Sequence, residues 1–224
     1  MAKSLKQKNQ PQLITFVVSN AIGLGLIALG PSRLLAVLQE LSKGDWTILG
    51  KLIAIPAFLS LITGTLGWVM PRAGKEFLVF WKFRNCLSSS RAFTLIGPRD
   101  PRVDMQRLIR KYGSPPVEPA QQTALWYRIY RAHTEEASVE DAHGAFLRFR
   151  EMTTLCVTLI IVSAVSAMYF AIGGRQLIFG LLLLALEYLT VMIATRNAAA
   201  RLVANVLAIE SATISVDSSE RPPL

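Results

Sequence analysis

Four stretches of the chain are long enough and free enough of charge to cross a bilayer, and the polar segments between them set the remaining architecture. Leu13 to Ser32 holds twenty residues without a charge, and Leu52 to Pro71 is again uncharged, with Pro56 inside it. Met152 to Gly174 is the third such run. The fourth, Gln176 to Thr195, reads QLIFGLLLLALEYLTVMIAT between Arg175 and Arg196. At about 1.5 Å of rise per residue, twenty helical residues cover the roughly 30 Å of a hydrocarbon core. The predicted fold is an all-α integral membrane protein: four transmembrane helices as two hairpins, with a small, mainly helical cytosolic domain inserted between them. The first run is longer than a signal-peptide core of roughly 7–15 residues, and no small-x-small cleavage site follows it cleanly, so it reads as an uncleaved span.

The segments between the spans follow from the same pattern. Residues 1–12 form a polar tail. Residues 33–51 mix Leu34, Leu35, Val37, Leu38 and Leu41 with charge, which suits an interfacial helix ended by Gly44, with Trp46 at headgroup level. Pro56 is expected to kink the second span, where neighbouring helices satisfy the freed carbonyl. Residues 72–151 are the substantial water-facing part. Within it, Phe77 to Phe83 is too apolar for a loop and is expected along the membrane surface or under the bundle. Arg91 to Ile96 fits a short strand. Asp100-Pro101 looks like a helix start, with Met105, Leu108, Ile109 and Tyr112 as its apolar period and Gly113 as its end. Pro119 opens a second helix to about His133, and Ser138-x-x-Asp141 resembles a capping box. From there the pattern runs unbroken into the third span. Residues 196–210 continue as a cytosolic helix with Leu202, Val203, Val206 and Leu207 apolar, and 211–224 lack any apolar period, as a disordered tail does.

Composition and charge then decide the compartment. Charged residues are 17% of the chain, against about 25% in soluble domains, which supports membrane embedding. Of the 24 Lys and Arg, residues 1–12, 72–151 and 196–224 carry 3, 14 and 3, whereas the two opposite loops carry 3 and 1. The positive-inside rule therefore puts both termini and the central domain in the cytoplasm, with a bacterial inner membrane as the expected location. Lipid electrostatics account for the net charge of +9, so nucleic acid is not an expected partner. Arg84, Arg91, Arg99, Arg102, Arg107, Arg110 and Lys111 form a local cluster suited to anionic headgroups, or to a phosphate-bearing ligand. No Walker or Rossmann glycine pattern accompanies it.

Candidate chemistry is sparse. The sequence has no GxSxG, HExxH or DFG-like set, Cys86 and Cys156 are expected to be free thiols, and neither enzyme activity nor a cofactor or metal is anticipated. Ser88-Ser89-Ser90 reads as a linker. His133 beside Glu135 and Glu136, and His143 beside Asp141, read as surface groups more readily than as acid–base sets. Trp126, Tyr127 and Tyr130 sit at helical spacing and fit a domain core. The embedded polar residues are more informative. Glu187 lies near the middle of the fourth run, where an acid is unfavourable by about 2.5–3.5 kcal/mol unless it faces protein or water. Asn20, Thr63 and Glu187 fall at similar depth, with Ser163 slightly deeper, so they could lock the bundle or form a polar ring through which ions pass. Ser163, Ala167 and Ala171 make a small-xxx-small ladder for close helix contact, with the fourth span or with another copy.

LIGPRDPRVD (Leu95–Asp104), QQTALWYRIYRAH (Gln121–His133), FLRFREM (Phe146–Met152) and RNAAARLVANVLA (Arg196–Ala208) together resemble uncharacterised bacterial small multi-pass membrane proteins. The arrangement of hairpins with a helical cytosolic extension is also similar to membrane effectors of bacterial antiviral systems of the SLATT type. It departs from them in having four spans with the soluble region between hairpins. That resemblance implies an oligomeric, signal- or partner-gated effector that perturbs the membrane. The alternative is a non-conducting adaptor that docks a soluble cytosolic partner, with Glu187 in a structural role.

Overall fold

The computed structural model describes residues 5–43, 47–170 and 174–214. The uncharged runs form long helices, because a chain in hydrocarbon must satisfy its own N–H and C=O groups within the segment. Helix α1 spans Leu5–Ser42 and α2 Thr47–Val69. Gly30 breaks α1 into two rods with φ +69°, a conformation glycine adopts without Cβ strain, just before a proline that has no N–H to give. Helix α2 continues through position 56 as one element. Gly44, expected to end the interfacial segment, and Trp46, expected at headgroup level, lie outside the described residues.

Helix α3, Arg72–Phe80, contains the first part of the apolar Phe77 to Phe83 stretch and buries Val79 and Phe80. Trp81 then takes a left-handed φ of 55°, ending the helix, and its exposed ring meets the Arg196 guanidinium at 5.3 Å. A 3-10 turn follows at Ser88–Arg91, then a π turn at Ala92–Ile96 and a single turn, α4, at Gly97–Arg99. The strand expected at Arg91 to Ile96 is therefore corrected to helical turns. Its backbone is satisfied by a side chain: Gln122 Oε1 accepts from the N–H groups of Phe93 (3.1 Å) and Thr94 (3.4 Å). The serine run is likewise no linker. All three serines are buried, and Ser90 Oγ donates to the carbonyls of Asn85 and Leu87.

Helix α5 spans Met105–Tyr112 and starts later than Asp100-Pro101 implied. Asp104 caps it, accepting from the N–H groups of Gln106 (3.0 Å) and Arg107 (3.1 Å). Asp100 instead accepts from the Arg102 N–H and pairs with its guanidinium at 2.8 Å, which closes a local turn before the helix. Helix α6 runs Pro119–Ala132, with proline in its first turn as the sequence suggests. Helix α7, Ala137–Phe170, begins before Ser138, so Ser138 is not its cap; the Ser138 carbonyl accepts from Asn205 Nδ2 at 2.9 Å. Helix α8 is continuous over Gly174–Thr213 and includes the start of the segment expected to be a disordered tail. Residues 215–224 lie outside the described residues.

The protein is all-helical, with no strand among the described residues. Among the described residues three helical stretches are long and apolar enough to cross a membrane, Gln7–Gly30, Ala137–Ala167 and Gly174–Thr213; α2 adds a shorter apolar stretch at Ser60–Val69. The chain divides into two compact units. The first comprises the chain up to Val79 together with Leu147–Thr195, and the second comprises Phe80–Phe146 together with the chain from Arg196.

In the first unit large apolar side chains lie on the outside as well as the inside, where Leu159, Leu184 and Met192 are buried. Ile14, Leu61, Leu182, Leu186 and Ile193 are exposed on the outside, while Thr153 and Thr195 are fully buried and hydrogen-bond each other at 3.1 Å. Apolar exterior with small and polar contacts inside is the packing expected when the surrounding solvent is lipid. The second unit has a conventional core. Leu108 of α5, Trp126 and Ile129 of α6, and Val203, Val206 and Leu207 of α8 are buried together. Leu202, Val203, Val206 and Leu207 of α8 thus belong to this unit's core.

Candidate functional site

Glu187 in the first unit is the acid that needs an explanation. Glycine brings its helix close to α1: a Cβ on Gly180 would lie 3.3 Å from Leu24 Cδ2. Two turns further along α8, Glu187 Oε1 accepts a hydrogen bond from Asn20 Nδ2 at 3.1 Å. The same amide donates to the Phe16 carbonyl at 3.0 Å, so both of its hydrogens are committed. Both side chains are half-buried and line a groove of about 520 Å³ with Ser19, Gly23, Leu183 and Thr190. Next to the acid, Tyr188 Oη donates to the Leu78 carbonyl at 2.7 Å and ties α8 to α3. Polar contacts between membrane helices average about 0.6 kcal/mol and reach about 1.7. That is less than the roughly 2.5–3.5 kcal/mol cost of an acid at this depth, so the groove side of Glu187 has to face protein or water.

Depth in the sequence does not decide which polar groups meet. Thr63 is fully buried on α2, and its hydroxyl has no hydrogen-bond partner among the described residues. Ser163 on α7 is half-buried. Neither hydrogen-bonds the Asn20–Glu187 pair, because the rotation of each helix about its axis sets the direction of its side chains. Ala167 is buried, as close packing requires, whereas Ala171 lies outside the described residues.

The second unit holds a polar centre that sequence reasoning missed. Glu210, 3% exposed, accepts from Lys111 Nζ (2.5 Å) and Tyr112 Oη (2.7 Å), and pairs with His133 Nε2 (2.6 Å). Burial pushes its carboxyl pKa up, but the bonds from Lys111, His133 and Tyr112 outweigh this and hold it below the ordinary glutamate value. The Glu210 bond raises the pKa of Lys111, and burial together with the same carboxylate raises that of Tyr112. His133 therefore meets an acid 77 residues away, in place of Glu135 or Glu136. His143 Nδ1 meets Tyr130 Oη at 2.9 Å, in place of Asp141. A signal for Glu210 did exist in the sequence. It lies four residues after Val206 and three after Leu207, on the buried face of the helix.

Trp126 and Tyr130 stack with centroids 5.2 Å apart, and Trp126 is buried, so this pair belongs to the core. The basic cluster divides into two sets. Arg102 pairs with Asp100, Arg107 with Asp104, and Lys111 with Glu210. Arg84, Arg91, Arg99 and Arg110 are exposed, and among the described residues they form no ion pair. Cys86 and Cys156 are buried free thiols. Among the described residues no three His, Cys, Asp or Glu side chains gather as a metal site would require. No family model, curated protein or solved structure matches the chain.

Proposed function

We propose that this chain is a non-enzymatic bacterial inner-membrane adaptor. Two hairpins of four spans hold it in the bilayer, with both termini and the second unit in the cytoplasm, where that unit docks a soluble partner. The observation that carries this reading is the Asn20–Glu187 hydrogen bond, which gives the embedded acid a partner within its own chain. A separate helical core and four outward arginines suit the second unit to binding an acidic surface. The half-exposed groove beside Glu187 favours a second reading, an oligomeric, pore-type effector in defence whose copies bring Glu187 around a shared axis. Membrane potential in cells expressing wild type and Glu187→Gln at matched levels separates the two. The adaptor leaves the potential intact in both strains. Depolarisation by wild type that is lost in Glu187→Gln would overturn it in favour of the effector.

A further inference from the structure

A second cleft in the first unit, about 610 Å³ in volume, opens among α1, α2 and α7. Its walls change character along its length. At one end stand Arg72, Lys75, Arg150 and Glu151. The lining also holds the apolar Ile14 and Val17 of α1, Leu61 of α2 and Leu155 of α7. From the polar end at Asn9 to Val18, α1 rises about 13 Å, the scale of a headgroup followed by the upper part of an acyl chain.

Charge and access both select the occupant. The lining holds three cations and one acid. Lys75 is nearly buried and bonds Glu151 Oε2 at 2.5 Å, and Arg150 Nη2 bonds Glu151 Oε1 at 3.0 Å, so one carboxylate is shared by two cations. Arg72 bonds Glu76 at 2.6 Å and is itself exposed, 72% at its side chain. The polar end thus keeps a net positive charge for an anion. The apolar flank continues into the exposed Ile14, Leu61, Trp68 and Val69, the kind of surface this unit turns to lipid, so a ligand can enter sideways from the bilayer. Gly64 makes the notch: a Cβ built on it would meet nothing within 4 Å.

We propose that this cleft holds one anionic phospholipid drawn from the surrounding bilayer, with its phosphate at Arg72, Lys75 and Arg150 and an acyl chain along α1 and α2. This goes beyond the adaptor reading and stands or falls separately, because it requires only that the first unit sit in lipid. The test uses the full chain, reconstituted in vesicles of equal phosphatidylglycerol and phosphatidylcholine, extracted in mild detergent and weighed by native mass spectrometry. Wild type is expected to retain one phosphatidylglycerol. Gly64→Leu, which adds a side chain where a Cβ meets nothing within 4 Å, is expected to lose it while melting no lower than wild type. Arg72→Gln is expected to reduce the preference for phosphatidylglycerol by roughly fivefold, the effect of one cation at a lipid surface. No retained lipid in wild type, equal retention of the two lipids, or full retention by Gly64→Leu would each overturn the proposal. So would displacement of the lipid by inorganic phosphate, which would identify a soluble anion as the occupant.

Discussion

Replacing Glu210 by alanine removes the acceptor for three donors at once, and their surroundings set the cost. Lys111 is 46% exposed at its side chain and returns to water when its partner is lost, so it contributes little. The His133 side chain is only 12% exposed and Tyr112 is half-buried, and neither can rehydrate fully. A hydrogen bond to a charged group is worth about 1.5–3 kcal/mol, so stranding two donors costs about 3–5 kcal/mol. Glu210→Gln keeps the volume and one acceptor oxygen but loses the charge, and is expected to cost about 1–2 kcal/mol. The assay is amide hydrogen exchange of Met105–Tyr112 in the full chain in detergent. Alanine lowers protection there by about two to three and a half powers of ten, at 1.4 kcal/mol per tenfold. Acid gives an independent readout. The folded pKa of Glu210 lies below its ordinary unfolded value. Its stabilisation is therefore complete above that value and is lost as pH falls through the lower folded one. Wild type should lose α5 protection in that window, and this loss should be absent from Glu210→Gln. Protection unchanged to within about threefold in the alanine variant, under roughly 0.7 kcal/mol, would refute the argument that this carboxylate holds α5 and α6 to the end of α8.

Other substitutions probe the remaining contacts. Gly97→Ala places a Cβ 2.8 Å from Met105 Sδ and 3.0 Å from the Ala92 carbonyl; the thioether can move but the backbone cannot, so thermal melting should drop by the equivalent of about 1–3 kcal/mol. Gln122→Leu strands the buried Phe93 N–H and should cost about 1–3 kcal/mol in denaturant titration, whereas a neutral result would mean that the π turn holds itself. Thr63→Val removes a buried hydroxyl that has no partner among the described residues, so it should leave stability unchanged or raise it by up to about 1 kcal/mol in the same titration. A double-mutant cycle of Asn20→Leu and Glu187→Leu should give a coupling of about 0.6–1.7 kcal/mol, and zero coupling would remove the structural role assigned to that bond.

How much was legible depended on whether a feature was local. The continuation of α7 into its apolar stretch was visible because Gly144 is the one glycine or proline between Ala137 and Gly173, and Pro119 marked its helix start through its own fixed φ. The local pattern favoured Asp100, the acid followed by proline, as the cap. Side-chain competition reversed this: Arg102 engages Asp100 from two sides, leaving Asp104 to cap α5. Ser88, Ser89 and Ser90 look like solvent-facing linker, yet all three are buried, with the Ser89 hydroxyl turned onto Thr123 and that of Ser90 onto Asn85 and Leu87.

The sequence by itself determined that the chain is helical, that long apolar segments meet lipid, and that one acid lies within such a segment. These are properties of consecutive residues, because a helix in hydrocarbon satisfies its backbone within a few positions and burial there depends on the run as a whole. Only the tertiary structure decided that Glu187 pairs with Asn20 and not with Thr63 or Ser163, and that His133 belongs to Glu210. Those outcomes depend on the rotation of each helix and on contacts between residues 167 and 77 positions apart. No periodicity encodes such contacts, and they are set only when whole helix faces choose their neighbours.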